Sequence, residues 1–163
     1  MLDRYSQKDR GLKTLGIGDI VVTIVRDDPK FPARGIGEVV SLDTNKEQAT
    51  IVLEEEWRGS CENEDEAKTG KITRPFTQID KPLEIFYEQI AKRVGFALAT
   101  TENSDELKQQ YGEQFFNQLK ALNIVPAGRV LYGAGSQTEV TYFNCFVMPF
   151  IHDSRGGIAN HRK

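Results

Sequence analysis

A cysteine lies in the middle of an apolar run, and turn-rich segments flank that run on both sides. The run is residues 140–150 and the cysteine is Cys145. Its β-branched and aromatic residues predict a strand that is buried on both faces. A strand would place a thiol more accurately than a loop would. A cysteine in such a strand is nevertheless most often an inert small hydrophobe, so the thiol alone indicates no reaction.

The segment before the apolar run is rich in glycine. Within residues 126–135, Gly128, Gly133 and Gly135 would leave backbone N–H groups open to an anion, and Arg129 is a candidate for pairing with it. The same glycines are typical of simple turns. Both interpretations stay open from the residues alone.

The segment after the run offers polar side chains. Asp153-Ser154 suits either a helix cap or a contact with a ribose hydroxyl, and the cap is the commoner use. His152 could serve Cys145 as a base, but it lies seven positions away, which is too far along a strand for a hydrogen bond. A metal site of His152, His161 and Asp153 matches no usual ligand spacing, so we expect no metal.

The elements that would carry these residues are of mixed type, and we expect an α+β fold. Residues 1–15 read as a polar leader. Residues 16–60 predict a small β-domain, an SH3-like β-barrel or sheet, with strands near 19–25, 35–42 and 48–54. The many acidic residues of this domain argue against a nucleic-acid face.

A linker and a helical region follow. Residues 61–81 read as a linker, and Cys61 in it has acidic neighbours, which disfavour its thiolate. Residues 82–125 show apolar positions at intervals of three and four, which predicts two amphipathic helices. Pro82 suits a first turn and Ser104 suits an N-cap.

Composition limits the classes of function. The chain has 163 residues, a net charge of −3 and two cysteines. A net negative charge does not favour nucleic-acid binding, and two distant cysteines form no disulfide framework. Residues 1–13 lack the apolar core of a signal peptide, and no run is long enough to span a membrane. We therefore expect a cytoplasmic protein.

Three motifs in order resemble the start of the catalytic domain of the adenosylcobalamin-dependent (class II) ribonucleotide reductases. They are the glycine-rich stretch 126–135, the pair Asn144-Cys145, and Asp-Ser-Arg-Gly-Gly-Ile at residues 153–158. The resemblance covers roughly residues 82–163. Residues 1–81 match no family that we can name.

The resemblance implies a fold and a reaction. In that family the catalytic domain is a ten-stranded α/β barrel, so residues 126–163 would be the start of an incomplete barrel, with its first strand in the Cys145 region. Cys145 would lie beneath the substrate ribose, as one of two thiols that end as a disulfide. The reaction reduces ribonucleotides, which we expect to be diphosphates, to deoxyribonucleotides.

The resemblance also implies ligand contacts and partners. Gly128 and Asn144 would lie at the phosphates of the ribonucleotide substrate, and Asp153 and Ser154 would begin the loop that binds a deoxynucleotide effector. The cofactor would be adenosylcobalamin, with its site outside this chain. A thioredoxin-like reductant would regenerate the thiols.

The chain lacks several parts that the family needs, including the partner of Cys145 and the radical cysteine. We therefore expect the N-terminal part of a larger or split reductase, inactive without a C-terminal remainder. Two alternatives remain from other classes of protein. One is a binding or regulatory module built on the β-domain of residues 16–60, and the other is a separate thiol enzyme that uses Cys145.

Overall fold

Five antiparallel strands form a sheet that curls into a half-barrel, and helices follow it in the chain. The structure is a computed structural model that describes residues 1–145, 147 and 150–161, the last without its side chain. In the sheet, the order of the strands is β4-β3-β2-β1-β5. The strands are β1 Ile20–Arg26, β2 Ala33–Asp43, β3 Gln48–Leu53, β4 Lys71–Pro75 and β5 Ile79–Asp80. The expected α+β class is confirmed.

Alternation of apolar and polar residues gives the sheet its core. In β3, Ala49, Ile51 and Leu53 are buried while the residues between them are partly exposed, as expected when successive side chains point to opposite faces. Val21 and Val25 of β1 join the same cluster. The three strands predicted from β-branched residues are therefore confirmed, to within a few residues at their ends.

A single arginine side chain joins the edge strand β4 to β1. Arg74 donates hydrogen bonds through Nε to the carbonyl oxygen of Ile24 at 2.9 Å and through Nη2 to that of Val25 at 3.3 Å. Its Nη1 and Nη2 also bind the two carboxylate oxygens of Glu66 at 2.8 and 2.9 Å. Because β4 and β1 are not neighbours in the sheet, these bonds hold its curl.

The structure corrects the expectation of a linker at residues 61–81. This segment contains α3, Glu64–Thr69, and the strands β4 and β5. The acidic and glycine residues that suggested a linker are helix ends. The side chain of Asn63 accepts a hydrogen bond from the backbone of Asp65 at 2.8 Å, and Gly70 ends the helix with a φ of +66°.

The first fifteen residues are also more ordered than a polar leader. They include α1, Leu2–Tyr5, and Lys8 forms an isolated β-bridge with Pro82. Pro82 is thus extended, and the following helix begins only at Tyr87. Charged residues of this N-terminal segment pair with residues far along the chain, which explains how a charged segment can be folded. The Nζ of Lys8, for example, lies 2.9 Å from the carboxylate of Asp80.

Two longer helices form the second layer, as the periodicity predicted. They are α4, Tyr87–Leu98, and α5, Asp105–Lys120. The predicted cap Ser104 is confirmed, since its Oγ accepts a hydrogen bond from the backbone of Leu107 at 3.2 Å. At α4 the side chain of Gln89 caps the backbone N–H groups of the two residues before the helix. The short helices are α2 Glu55–Arg58, α6 Gly128–Gly133 and α7 Arg155–His161.

The helical layer has its own apolar core. Ile90, Ala91 and Val94 of α4 meet Leu119 of α5 and Leu131 of α6. None of the helices in the described part of the chain is both long enough and apolar enough to cross a membrane.

The expected strand at residues 140–150 is not present in the described part of that range. Residues 140–145, 147 and 150 have no strand hydrogen bonding, and Phe146, Met148 and Pro149 lie outside the described residues. The strand was predicted from the β propensity of these residues. A segment of high β propensity forms a strand only where a neighbouring strand pairs with it. No described strand lies beside this segment, so its propensity is not realised here.

Replacing Arg74 with methionine tests the closure of the half-barrel. Arg74→Met keeps an unbranched apolar stem but leaves two backbone carbonyls and the Glu66 carboxylate without their donor. We expect the free energy of unfolding to fall by about 2 kcal/mol, as measured by urea denaturation. Lys68→Met is the control, because its pair with Glu64 is exposed and should change stability by less than about 0.5 kcal/mol. Equal effects of the two variants would contradict this role of Arg74.

Candidate functional site

A largely buried ion pair lies between the helical layer and the N-terminal segment. Arg93 of α4 binds Glu84 through two hydrogen bonds, Nε to Oε1 at 2.7 Å and Nη2 to Oε2 at 3.1 Å. The two side chains are only 13% and 11% exposed. Glu84 also accepts a hydrogen bond from the backbone of Gln7 at 2.8 Å. A paired geometry of this kind satisfies both charges where water has little access.

The remaining donors of Arg93 hold three backbone carbonyls. Its Nη2 lies 3.1 Å from the carbonyl oxygens of both Tyr5 and Leu131, and its Nη1 binds that of Ala134. The last two carbonyls belong to the end of α6, where the carbonyls of a helix have no partner within the helix. Arg93 therefore fixes the glycine-rich segment 126–135 against α4 and α1.

The glycine-rich segment is a short helix and its exit, rather than an open turn. Gly133 lies so close to Val140 that a Cβ atom there would be 2.1 Å from Cγ2 of the valine. Gly135 has a φ of +69°, and a Cβ there would meet Arg93 and Ala97 at 2.9 and 3.0 Å. Packing and backbone conformation thus account for these two glycines without a ligand.

Of the other two predicted positions of this segment, Gly128 is partly buried and Arg129 lies at the surface. Gly128 is the first residue of α6, and a Cβ there would lie 3.0 Å from the hydroxyl of Tyr5. Arg129 is exposed, and no described residue forms an ion pair with it. The position of Arg129 leaves it open to an anion from solvent, while Gly128 faces a neighbouring side chain.

Asn144 and Cys145 both lie on the exposed segment that follows, which is neither helix nor strand at these positions. The expectation that Cys145 is buried in a strand was therefore wrong for the structure of this chain. Its thiol is open to solvent because no described element covers the segment. Within the described residues, no hydrogen bond joins either residue to Gly128 or Asp153.

Asp153 and Ser154 precede α7, and Ser154 caps it. The Oγ of Ser154 accepts a hydrogen bond from the backbone of Gly157 at 2.9 Å, which is the N-cap arrangement. The hydroxyl hydrogen of Ser154 remains available to another acceptor. Asp153 is exposed. The cap was the commoner of the two uses predicted for this pair, and the structure has it.

No group of three candidate metal ligands comes together among the residues that the structure describes. The side chain of His161, one member of the metal set considered from the sequence, lies outside those residues.

The second cysteine, Cys61, lies in a different environment. It is partly buried and packs beside the core of the sheet. Burial raises the pKa of its thiol, and the nearby Glu66 carboxylate raises it further. Cys61 is thus a poor nucleophile near neutral pH.

Sequence reasoning missed the pair Arg93 and Glu84. One signal was present: Arg93 lies three residues after Ile90 and four before Ala97, on the apolar face of α4. A charged residue within an apolar stripe requires a partner when it is buried. The partner lies outside the helix, so the helical pattern did not identify it.

Comparison with known proteins gave no match to a protein family, to a curated protein or to a solved structure.

Breaking the Arg93 pair should destabilise the chain strongly. We expect Arg93→Met to lower the free energy of unfolding by about 3 kcal/mol, because it leaves a buried carboxylate and three carbonyls unpaired. Urea denaturation measures this change. Lys120→Met is the control, since its pair with Glu88 is about half exposed and should contribute less than about 1 kcal/mol.

A double variant separates two causes of this loss of stability: the unpaired charge of Glu84 and the lost packing of the Arg93 side chain. Adding Glu84→Gln to Arg93→Met removes the unpaired charge, so the double variant should recover part of the lost stability. No recovery would show that the carboxylate is not the reason for the loss.

The two cysteines should differ in their reaction with iodoacetamide. At pH 7.5 we expect Cys145 to be alkylated faster than Cys61, because Cys145 is exposed and the pKa of Cys61 is raised. Peptide mass spectrometry over time measures both rates. The midpoint of the rise in the alkylation rate of Cys61 with pH should lie above that of an ordinary thiol, because the pKa of Cys61 is raised. Faster alkylation of Cys61 would contradict the structure.

Proposed function

We propose that the chain is the N-terminal part of a vitamin B12-dependent ribonucleotide reductase, inactive without the C-terminal remainder. The observation that carries this proposal is an exposed thiol within an exposed apolar segment. The aromatic residues Phe143 and Phe150 on either side of Cys145 are 71% and 84% exposed. Together with the three motifs, this segment is what an incomplete catalytic barrel would leave uncovered.

The exposure of this segment has a physical consequence. Contiguous apolar surface is unfavourable in water and typically marks a surface that another polypeptide covers. In the proposal, strands of the remainder pair with residues 140–150 and complete the ten-stranded barrel. Pairing would turn the β propensity of the segment into a strand, and would bury Cys145 beneath the substrate.

The proposal also covers the half-barrel sheet at the N-terminal end of the chain. We take the curled five-stranded sheet to be an SH3-like domain that precedes the reductase. Its support is the small size of the sheet, its strong curl and the closure of β4 on β1 through Arg74.

The residues have separate roles in the proposed reaction. Cys145 and a second thiol on the remainder donate two electrons; the ribose loses its 2′-hydroxyl as water, and the two sulfurs form a disulfide. Asn144 and the backbone at Gly128 would bind the phosphates of a ribonucleoside diphosphate. Asp153 and the free hydroxyl hydrogen of Ser154 would contact a deoxynucleotide effector. A thioredoxin-like protein would reduce the disulfide by thiol exchange.

The adenosylcobalamin site belongs to the remainder in this proposal, because no residue of this chain matches a cobalamin contact of the family. When bound, the cofactor supplies the radical that starts the reaction. The location of the enzyme would be the cytoplasm, where thiols stay reduced.

Reconstitution tests the proposal. The purified chain is mixed with a polypeptide that carries the rest of a class II reductase, adenosylcobalamin, a ribonucleoside diphosphate and a dithiol reductant. We expect deoxynucleotide to form only when both polypeptides are present, as measured by chromatography of the nucleotides. Product from this chain alone, or none from any mixture in which the two polypeptides bind each other, would refute the proposal.

The two cysteines provide matched variants for the same assay. Cys145→Ser should abolish product formation, because it removes one of the two reducing thiols. Cys61→Ser should retain activity, because that thiol lies beside the core of the sheet. Activity that survives Cys145→Ser would exclude the proposed role of Cys145.

A further inference from the structure

A cleft of about 960 Å³ lies between the N-terminal segment and the rest of the chain. Its walls are parts of residues 3–13, 76–83 and 132–138. None of the residues assigned to the proposed reductase reaction lines it. The cleft is large enough for a small organic ligand.

Positive charge exceeds negative charge in this cleft, although the chain as a whole is acidic. Two of the three carboxylates that line it, Asp3 and Asp80, are paired. Both bind Arg34 and Lys8, so two carboxylates are balanced by two cations. Burial raises the pKa of Asp80, but the hydrogen bonds from Arg34 and Lys8 outweigh it and leave the pKa below its usual value.

The third carboxylate, that of Asp9, forms hydrogen bonds within its own turn of the chain. Asp9 accepts hydrogen bonds at 2.8 Å from both the backbone N–H and the hydroxyl of Thr14. Both bonds reach the same oxygen, Oδ2, and they lower the pKa of Asp9. Asp9 therefore remains charged, and one of its two carboxylate oxygens is held by Thr14.

Three cations of the cleft have no carboxylate partner among the described residues. They are Arg4, Arg10 and Lys13, all of which line the cleft. The guanidinium of Arg10 donates a hydrogen bond to the hydroxyl of Thr138 at 3.0 Å and has no other side-chain partner in the described part of the chain. Three cations thus face a single carboxylate, so an anion in the cleft would be attracted.

The backbone that carries two of these cations is fixed. Leu12, between Arg10 and Lys13, has a φ of +52°, a conformation that is unfavourable for a branched apolar residue. Packing of Leu12 and Leu15 against the core of the sheet holds it there. A fixed backbone lowers the entropy cost of gathering the two cations around a ligand.

The cleft also has apolar walls. Leu12, Phe76, Ile79, Leu83 and Tyr132 line it together with the cations. A ligand that suits both kinds of wall has an anionic group and an apolar or aromatic body. We propose that the cleft binds a small organic phosphate, with the phosphate near Arg4, Arg10 and Lys13 and the body against the apolar walls.

Three probes test this proposal on the complete chain. They are 1-naphthyl phosphate, which has both features, inorganic phosphate and 1-naphthol. Isothermal titration calorimetry should show saturable binding of 1-naphthyl phosphate that is at least about tenfold tighter than that of either other probe, since each of those lacks one set of contacts. Equal or tighter binding of inorganic phosphate or of 1-naphthol would overturn the proposal, and so would the absence of saturable binding.

Charge-matched variants locate the site. The triple variant Arg4→Gln, Arg10→Gln and Lys13→Gln should weaken binding of 1-naphthyl phosphate by about tenfold or more. The control triple variant Lys46→Gln, Lys68→Gln and Lys108→Gln has the same net charge, but its lysines pair with carboxylates on the surface elsewhere, so its affinity should stay within about twofold. An equal loss in both triple variants would overturn the proposal, since it would reflect net charge alone.

A single variant gives a test that does not depend on the folding of the triple variant. Lys13 has no hydrogen-bond or ion-pair partner through its side chain among the described residues, so Lys13→Gln should unfold at the same temperature as the original chain. Its affinity for 1-naphthyl phosphate should fall by a few fold, and an unchanged affinity would contradict the site. Because these titrations need no second polypeptide and no cofactor, their outcome is separate from that of the reconstitution assay.

Discussion

The ion pair between Arg93 and Glu84 joins three parts of the chain that are far apart in sequence. One guanidinium binds a carboxylate just before α4 and the carbonyls of Tyr5, Leu131 and Ala134. Without it, the N-terminal segment, α4 and the end of α6 would each bury polar groups without partners, at a substantial cost in free energy. The position of the glycine-rich segment therefore depends on this interaction as well as on the close packing of its glycines.

The residues of the candidate site differ in how firmly the rest of the chain holds them. Gly133 and Gly135 are fixed by close packing, whereas Asn144 and Cys145 lie on exposed chain. In the proposed reductase this difference has a reason: one side of the site is built by this chain, and the other side requires strands that pair with residues 140–150. A strand cannot satisfy its backbone or bury both faces without neighbours, so the described residues around Cys145 stay exposed and outside the sheet.

Local patterns in the sequence predicted much of the secondary structure. β-branched runs gave β1, β2 and β3, and intervals of three and four gave α4 and α5. The faces were less predictable: Phe86 belonged to the predicted apolar stripe but is 70% exposed, whereas Ile90 and Val94 are buried. Which part of a stripe is covered depends on the elements that pack against it, and periodicity alone does not contain that information.

The sequence by itself determined the mixed α+β class and the helix cap at Ser104, because these follow from neighbours within a few positions. Only the tertiary structure decided that residues 61–81 complete the sheet, that Tyr5 and Gln7 of the N-terminal segment bind α4 and α6, and that Arg93 holds the end of α6. Each of these depends on partners tens of residues away, such as Arg74 with Ile24 and Arg93 with Tyr5. Long-range pairing is set by the packing of the whole chain, which local propensity does not encode.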